Sequence, residues 1–300
     1  MGSFLHRKCK PISAQPSGDV KRCRKEEGGF LPTPEGGGLH RQEKMRVTIF
    51  TIPRAFEDVH WGIQYRAIYS WTRLKPKPSI ILMCDDEGVG WAARLLGCRH
   101  VPNIERNSYG TPLITNAFAV AQKISTTDVI CFVNADIVLM QDFVTSLSIA
   151  SCKFDRFLMV GRRWDLPHGT SIKFFPGWQQ SLRKVVHSRG NRHAVGSSDY
   201  FGLRKGLYRE MPPLAVGRHG CDNYLISRAV NIGANVVDAT LDVMAVHQDA
   251  AISARRYSNK EDDSNRDIYM SNRRGVVGTM ADAHWKLEEG DIRGVRPYHG

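Results

Sequence analysis

The chain has no apolar run approaching the roughly 20 residues needed to cross a bilayer, and no basic segment followed by a short apolar one as in a secretory leader. It has no CxxC pair among its seven cysteines, which excludes the usual zinc-ribbon and thioredoxin-like spacings. It has no internal repeat, and after about residue 45 no long Pro/Gly/Ser linker that would separate two domains. Nor does it have one long basic block: the formal charge of +12 comes from arginines and lysines scattered along its 300 residues. Scattered charge is usually a solvated surface, so nucleic acid ranks as a minor partner class, although a small anionic ligand suits the sign.

What is present is an ordinary globular composition, long enough to bury a large core. The cysteines are odd in number and several lie inside apolar segments. They read as reduced, buried thiols, so a soluble, cytoplasmic protein in a reducing compartment is expected. Residues 1–44 are polar, rich in Gly and Pro, and aperiodic, the composition of a disordered basic tail. The expected organisation is therefore a tail over 1–44, one α/β domain over 45–288 and a short C-terminal tail over 289–300.

From residue 46 the apolar pattern alternates between strand and helix. "RVTIFTI" predicts a strand, residues 60–73 an amphipathic helix, and "SIILMCD" a strand ending on Asp85-Asp86. A short helix over 88–97 and an extended piece at His100-Val101 follow. "GTPLITNAFAVAQKI" predicts a helix capped by Thr111 with Pro112 at its first position, leading into the strand "DVICFV". The β-α-β-α-β-α-β order implies right-handed crossovers and a mostly parallel sheet. Ligands sit beyond the carboxyl ends of such strands, which places Thr51 to Phe56, Asp85-Asp86 and Asn134 to Asp136 on one rim.

Asn134-Ala135-Asp136 interrupts the apolar run "DVICFVNADIVLM". Oxygen donors one residue apart at a strand end can hold a divalent cation against a diphosphate; the same tripeptide is also simply a good turn. Asp222 opens a helix, where a carboxylate can take a proton from a hydroxyl or merely cap the helix. His247 ends a strand in "ANVVDATLDVMAVHQ", a position open to metal ligation. Trp164 in "GRRWD" and Tyr200 in "GSSDYFGLRKGLY", with Trp178 and Phe201, offer aromatic faces for a sugar or base, or fill the core.

Taken together, "TIFTIPRAF", "FVNADIVL", "VGRRWD", "GSSDYFGL", "VGRHGCDNYLISRA", "DATLDVMAVHQ" and "ADAHWKL" resemble GT-A glycosyltransferases, the family-2-like nucleotide-diphospho-sugar transferases, over about residues 46–287. The resemblance implies a single Rossmann-like α/β domain with a mostly parallel sheet flanked by helices. It implies that a sugar moves from a nucleotide-diphosphate donor to a hydroxyl of a glycan or other acceptor, with Mn2+ or Mg2+. By motif, Asp136 and His247 would meet the metal and Asp222 would be the base. Thr51, Pro53, Arg54, Asp85, Asn134 and Arg218 would line the nucleotide and diphosphate, and Trp164, Asp199 and Tyr200 the acceptor. After His247-Gln248, where the family pattern has another His and a Tyr-Ser pair beneath a lid, this chain reads "DAAISARRYS". Two other functions suit the same fold. A sugar-phosphate nucleotidyltransferase needs a Gly-rich basic loop after the first strand, which "TIPRAFEDVHWG" lacks. A non-catalytic glycan- or nucleotide-binding module has no need of Asp136, Asp222 and His247 together.

Overall fold

The computed structural model of the chain describes residues 45–248 and 259–295. The expected tail over 1–44 and the segment after Gln248 lie outside the described residues. In chain order the elements are β1 (Val47–Thr51), α1 (Asp58–Thr72), β2 (Ser79–Met83), α2 (Val89–Leu96), β3 (Arg99–Val101), α3 (Ile114–Ile124), β4 (Val129–Val133) and β5 (Ile137–Val138). Next come α4 (Gln141–Lys153), β6 (Phe157–Val160), β7 (Arg163–Leu166), α5 (Trp178–Arg189), β8 (Asn191–Arg192), β9 (Tyr200–Arg204), α6 (Cys221–Asn231) and β10 (Asn235–Asp238). The chain closes with β11 (Ala245–Gln248), α7 (Asn259–Asn272), β12 (Trp285–Glu288) and β13 (Asp291–Gly294).

Nine strands form the main sheet in the order β13-β12-β10-β6-β9-β4-β1-β2-β3. All neighbours run parallel except β9, antiparallel to both β4 and β6, and β13, antiparallel to β12. The central strands β1 and β4 are buried at every position, which is why they read as unbroken apolar runs. Successive residues feed opposite faces: Ile49, Cys131 and Met159 join one apolar layer with α1, α2 and α4, while Phe50, Phe132 and Leu158 join the other with α3 and α6. Helices on both faces of a mostly parallel sheet make this a doubly wound α/β fold.

The boundaries differ from expectation where tertiary bonding intervenes. β2 stops at Met83 because Cys84 turns to φ 87°, so Asp85 and Asp86 belong to a loop. α3 begins at Ile114 with extended Leu113 at its cap, not at Thr111-Pro112. There the backbone is engaged sideways: Pro112 bridges Arg106 and Leu113 bridges Ala215, which keeps the chain extended. Within the segment expected as a tail over 289–300, β13 pairs with β12 from Trp285↔Gly294 to Glu288↔Asp291 as an edge strand of the main sheet.

A smaller four-stranded sheet, β5-β11-β7-β8, sits beside the main one and gathers segments far apart in sequence. Trp71, fully buried at the end of α1, donates its indole N–H to the Ile137 carbonyl at 2.8 Å, and Ser70 Oγ accepts from Leu139 N at 3.0 Å. A buried Trp of this kind contributes about 3–5 kcal/mol by the cost of its removal. It also fixes β5, and hence the turn before it, against α1. No helix among the described residues is long and apolar enough to cross a membrane.

Candidate active site

β1, β2 and β4 are parallel neighbours, so Thr51, the Cys84–Asp86 loop and Asn134–Asp136 emerge on the same edge of the sheet. β9 runs the other way, and its start brings Asp199 to that edge beside Asn134: Asn134 N donates to the Asp199 carbonyl at 2.9 Å and Asn134 Nδ2 to Asp199 Oδ1 at 2.8 Å. Asn134-Ala135-Asp136-Ile137 is a tight turn, closed by Ile137 N to the Asn134 carbonyl at 3.1 Å. The turn and the directed carboxylate are therefore one feature. It ends the buried strand β4 and swings Asp136 toward β11.

The small sheet supplies the other half. β11 pairs β5 with His247 opposite Ile137, and pairs β7 with His247 opposite Asp165. His247 Nε2 lies 3.5 Å from Asp136 Oδ2, and His247 Nδ1 lies 3.1 Å from Asp165 Oδ1. Asp165 also accepts from Arg163 Nε at 2.7 Å and meets His193 Nδ1 at 2.7 Å. Arg163 reaches across to both oxygens of Asp199, at 2.8 and 2.9 Å. Asn134, Asp136, Asp165, His193, Asp199, His247 and Arg163 thus form one connected polar network drawn from β4, β7, β8, β9, β11 and their flanking residues. Arg163, Asp165 and His193 were not singled out from the sequence. The available signal was the i, i+2 spacing of Arg163 and Asp165 in "GRRWD", which puts both on one face of a strand.

Charge follows the contacts. Burial pulls the His247 imidazole down, but Asp136 and Asp165 outweigh it and push its pKa up to about 9. Burial would raise Asp136, yet His247 and Arg163 hold it below the usual carboxylate range. Asp165 is likewise held low against burial by His247, His193 and Arg163. Burial opposes the Arg163 charge, and Asp199 and Asp165 more than restore it. One oxygen of Asp136, Oδ1, is enclosed without a hydrogen-bond partner among the described residues.

The remaining expected site residues are placed as follows. Thr51 is fully buried at the end of β1, its Oγ1 likewise without a partner among the described residues. Pro53 is buried and accepts from Cys84 Sγ at 3.3 Å, while Arg54 is exposed with its backbone N and O bonded to Gln64 at 2.8 and 3.0 Å. Asp85 is exposed; Arg106, 2.6 Å away, holds its carboxyl below the ordinary range. Trp164 is half-buried, with the Arg192 guanidinium 4.7 Å from its ring centre. Tyr200 is fully buried and packs edge-on against Phe143, so its ring presents no face to a ligand. Asp199 is 4% exposed and committed to Arg163 and Asn134.

Arg218 lies elsewhere. Its guanidinium pairs with Glu261 of α7 at 3.1 Å and donates to Thr111 Oγ1 at 2.8 Å, with both partners of the ion pair almost fully buried. Asn107 donates to the other Glu261 oxygen at 2.8 Å, so this pair staples the 107–111 loop to α7. Asp222 occupies the first turn of α6, behind Gly220, whose φ of 82° suits a residue without Cβ. The structure therefore brings Asn134, Asp136, Asp199 and His247 together and leaves Asp85, Tyr200 and Arg218 with other partners.

The donor set can be judged against a divalent cation. Asp136 supplies an unpartnered buried oxygen, and His247 is oriented by a carboxylate on Nδ1 with Nε2 turned to Asp136, the arrangement metal-ligating histidines commonly show. No cluster of three or more His, Cys, Asp or Glu that could hold a metal occurs among the described residues. Two protein donors fit a cation that arrives with a diphosphate and keeps water ligands, as Mg2+ and its like do; they do not form a complete cage.

No family model and no curated protein matches the chain. Solved structures do. GalNAc-T7 with UDP, GalNAc and Mn2+ matches with a TM-score of 0.50 at 13% identity, over 77% of this chain and 49% of that one. The mannosyltransferase PcManGT from Pyrobaculum calidifontis, in complex with GDP-Man and Mn2+, matches with a TM-score of 0.45 at 13% identity, over 77% of this chain and 64% of that one. A glucose-1-phosphate thymidylyltransferase from Bacillus anthracis matches with a TM-score of 0.43 at 9% identity, over 74% of this chain and 96% of that one. The chain spans about half the length of the first and under two thirds of the second. At 13% identity the likeness to GalNAc-T7 concerns the backbone alone, and together with the sheet order it shows that the chain has a GT-A-like, Rossmann-like α/β fold.

Proposed function

We propose that the protein is a metal-assisted glycosyltransferase that moves a sugar from a nucleotide-diphosphate donor to an acceptor hydroxyl. The observation that carries this is the meeting of Asp136 with His247 at the carboxyl edge of the sheet, with one Asp136 oxygen left unpartnered. Asp136 and His247 would hold the cation, which when bound offsets negative charge on the departing diphosphate. The chain's own contribution is positioning. Asp165 fixes the His247 ring, and the Arg163–Asp199–Asn134 bridge fixes the turn carrying Asp136, so the donor groups are positioned before a cation arrives.

Thr51, Pro53 and Arg54 border the nucleotide end of the same edge. Trp164, on the face of β7 turned away from Asp165, is left out of this proposed centre, and Asp222, at the positive end of α6, is the carboxylate proposed to take the acceptor proton. The net charge of +12 favours an anionic donor.

The test is hydrolysis of UDP-, GDP-, ADP- and TDP-sugars by the purified full chain with Mn2+, with and without EDTA, beside Asp136→Ala. Release of one nucleoside diphosphate that needs both metal and Asp136 establishes donor and site together. Turnover that survives EDTA and Asp136→Ala, or the absence of turnover with every donor, overturns the proposal.

A further inference from the structure

A concave pocket of about 310 Å3 lies farther along the same edge, where β6 and β10 end. Its apolar wall includes Leu241 and Met280, and three cationic side chains converge on it: Arg162, Arg192 and Lys286. None of the three makes an ion pair among the described residues. Arg162 Nε donates to the His193 carbonyl at 2.6 Å, Arg192 lies over the Trp164 ring, and Lys286, opposite Asp238 in the β10–β12 pair, is exposed and its side chain makes no hydrogen bond or ion pair among the described residues. The one carboxylate in the lining, Asp238, is turned to Thr240, accepting its backbone N–H at 2.9 Å and its hydroxyl. Surface cations normally lie among carboxylates; here three face one, Asp238, so the concave surface keeps a local excess of positive charge beside an apolar wall.

The pocket is distinct from the Asp136–His247 centre. Side chains alternate along β7, so Arg163 and Asp165 face the carboxylate network. Trp164, with Arg192 opposite it on β8, takes the other side of the ribbon. We infer that this pocket binds a small organic anion, a phosphate or carboxylate headgroup on an apolar body, with the headgroup between Lys286 and the two arginines and the body against Leu241 and Met280. Guanidinium and ammonium donors suit either headgroup, and the volume suits a molecule about the size of a monosaccharide. The inference goes beyond the transfer proposal and stands whether or not transfer occurs.

Isothermal titration of the full chain with phenyl phosphate, phenylacetate and, as a neutral control, benzyl alcohol tests it. Expected is saturable binding of at least one anion at millimolar concentration or below, none of benzyl alcohol, and a loss of about tenfold or more in affinity in each of Lys286→Ala and Arg192→Ala. Both side chains are exposed, so the melting transition should be kept, and the tighter anion names the headgroup. Asp136→Ala and EDTA should leave this binding unchanged, which separates it from the transfer site. Equal binding of benzyl alcohol, undiminished binding in both variants, loss of binding with Asp136→Ala, or no binding of either anion overturns it.

Discussion

Asp165 and His247 lie opposite one another in the parallel pair β7–β11, with the imidazole Nδ1 3.1 Å from the Asp165 carboxylate and Nε2 facing Asp136. Asp165 thus acts on the site through His247. Asp165→Ala should raise the Mn2+ concentration needed for binding about 10–100-fold, as loss of an orienting partner does for metal-ligating histidines. Titration followed by Mn2+ electron paramagnetic resonance measures this without any turnover. An unchanged titration would show that His247 needs no orientation, or that it does not ligate.

Arg163 and Asp199 form the more buried pair, with side chains 16% and 6% exposed. Removing one partner of such a pair leaves the other charge without compensation. Arg163→Ala should cost about 3–5 kcal/mol in urea unfolding, and Arg163→Leu with Asp199→Leu should recover much of it. A single-variant cost below 1 kcal/mol would mean that Asn134 and water satisfy Asp199 unaided.

The parallel strands were legible because burial on both faces leaves no polar alternation: "VTIFT" and "VICFV" announce themselves. The reversal of β9 was not, since "YFGLR" carries no mark of direction; its orientation is set by its neighbours on both sides. The inner strands of the small sheet, β7 and β11, pair across some eighty residues, His247 with Asp165, and no local pattern encodes that register. Asp136 and His247 were legible as polar residues at apolar strand ends. Beyond its spacing from Arg163, nothing local in "GRRWD" marks Asp165, because its importance lies in the three partners that converge on it. Arg218 shows the converse: its charge suited a phosphate, and only the fold reveals Glu261 beside it.

The expectation of buried thiols can be tested position by position. Cys84 and Cys98 are pushed up to about 12 by burial, and burial raises Cys131 and Cys221 as well, so none holds appreciable thiolate near neutral pH. Cys152 is exposed on α4. Iodoacetamide on the native protein at about pH 8, followed by peptide mapping, should label Cys152 first among these five, with the other four reacting only after unfolding. Because the nucleophile is the thiolate, raised values mean reactivity appears only as pH rises toward them. Early labelling of Cys84 or Cys98 would show that the α2 region opens readily.

Tyr200 and Gly161 offer a test of whether the aromatic at the start of β9 serves a ligand or the core. The Tyr200 hydroxyl is buried with no hydrogen-bond partner among the described residues, and a Cβ built on Gly161 would lie 2.1 Å from it. Glycine in "VGRRWD" is thereby explained by space, without any appeal to turn conformation. Deleting an unsatisfied buried hydroxyl removes a desolvation penalty of about 1–3 kcal/mol, so Tyr200→Phe should be neutral or stabilising in urea unfolding. Gly161→Ala should cost about 1–3 kcal/mol by overpacking. The two are coupled: in the Tyr200→Phe background the nearest clash is gone, although the ring carbon at 3.0 Å and the Thr240 amide nitrogen at 3.1 Å remain, so the cost of Gly161→Ala should shrink without vanishing. A Tyr200→Phe variant that loses stability would instead place an ordered water or ligand on the hydroxyl, and additive costs in the double variant would mean that the backbone moves to make room.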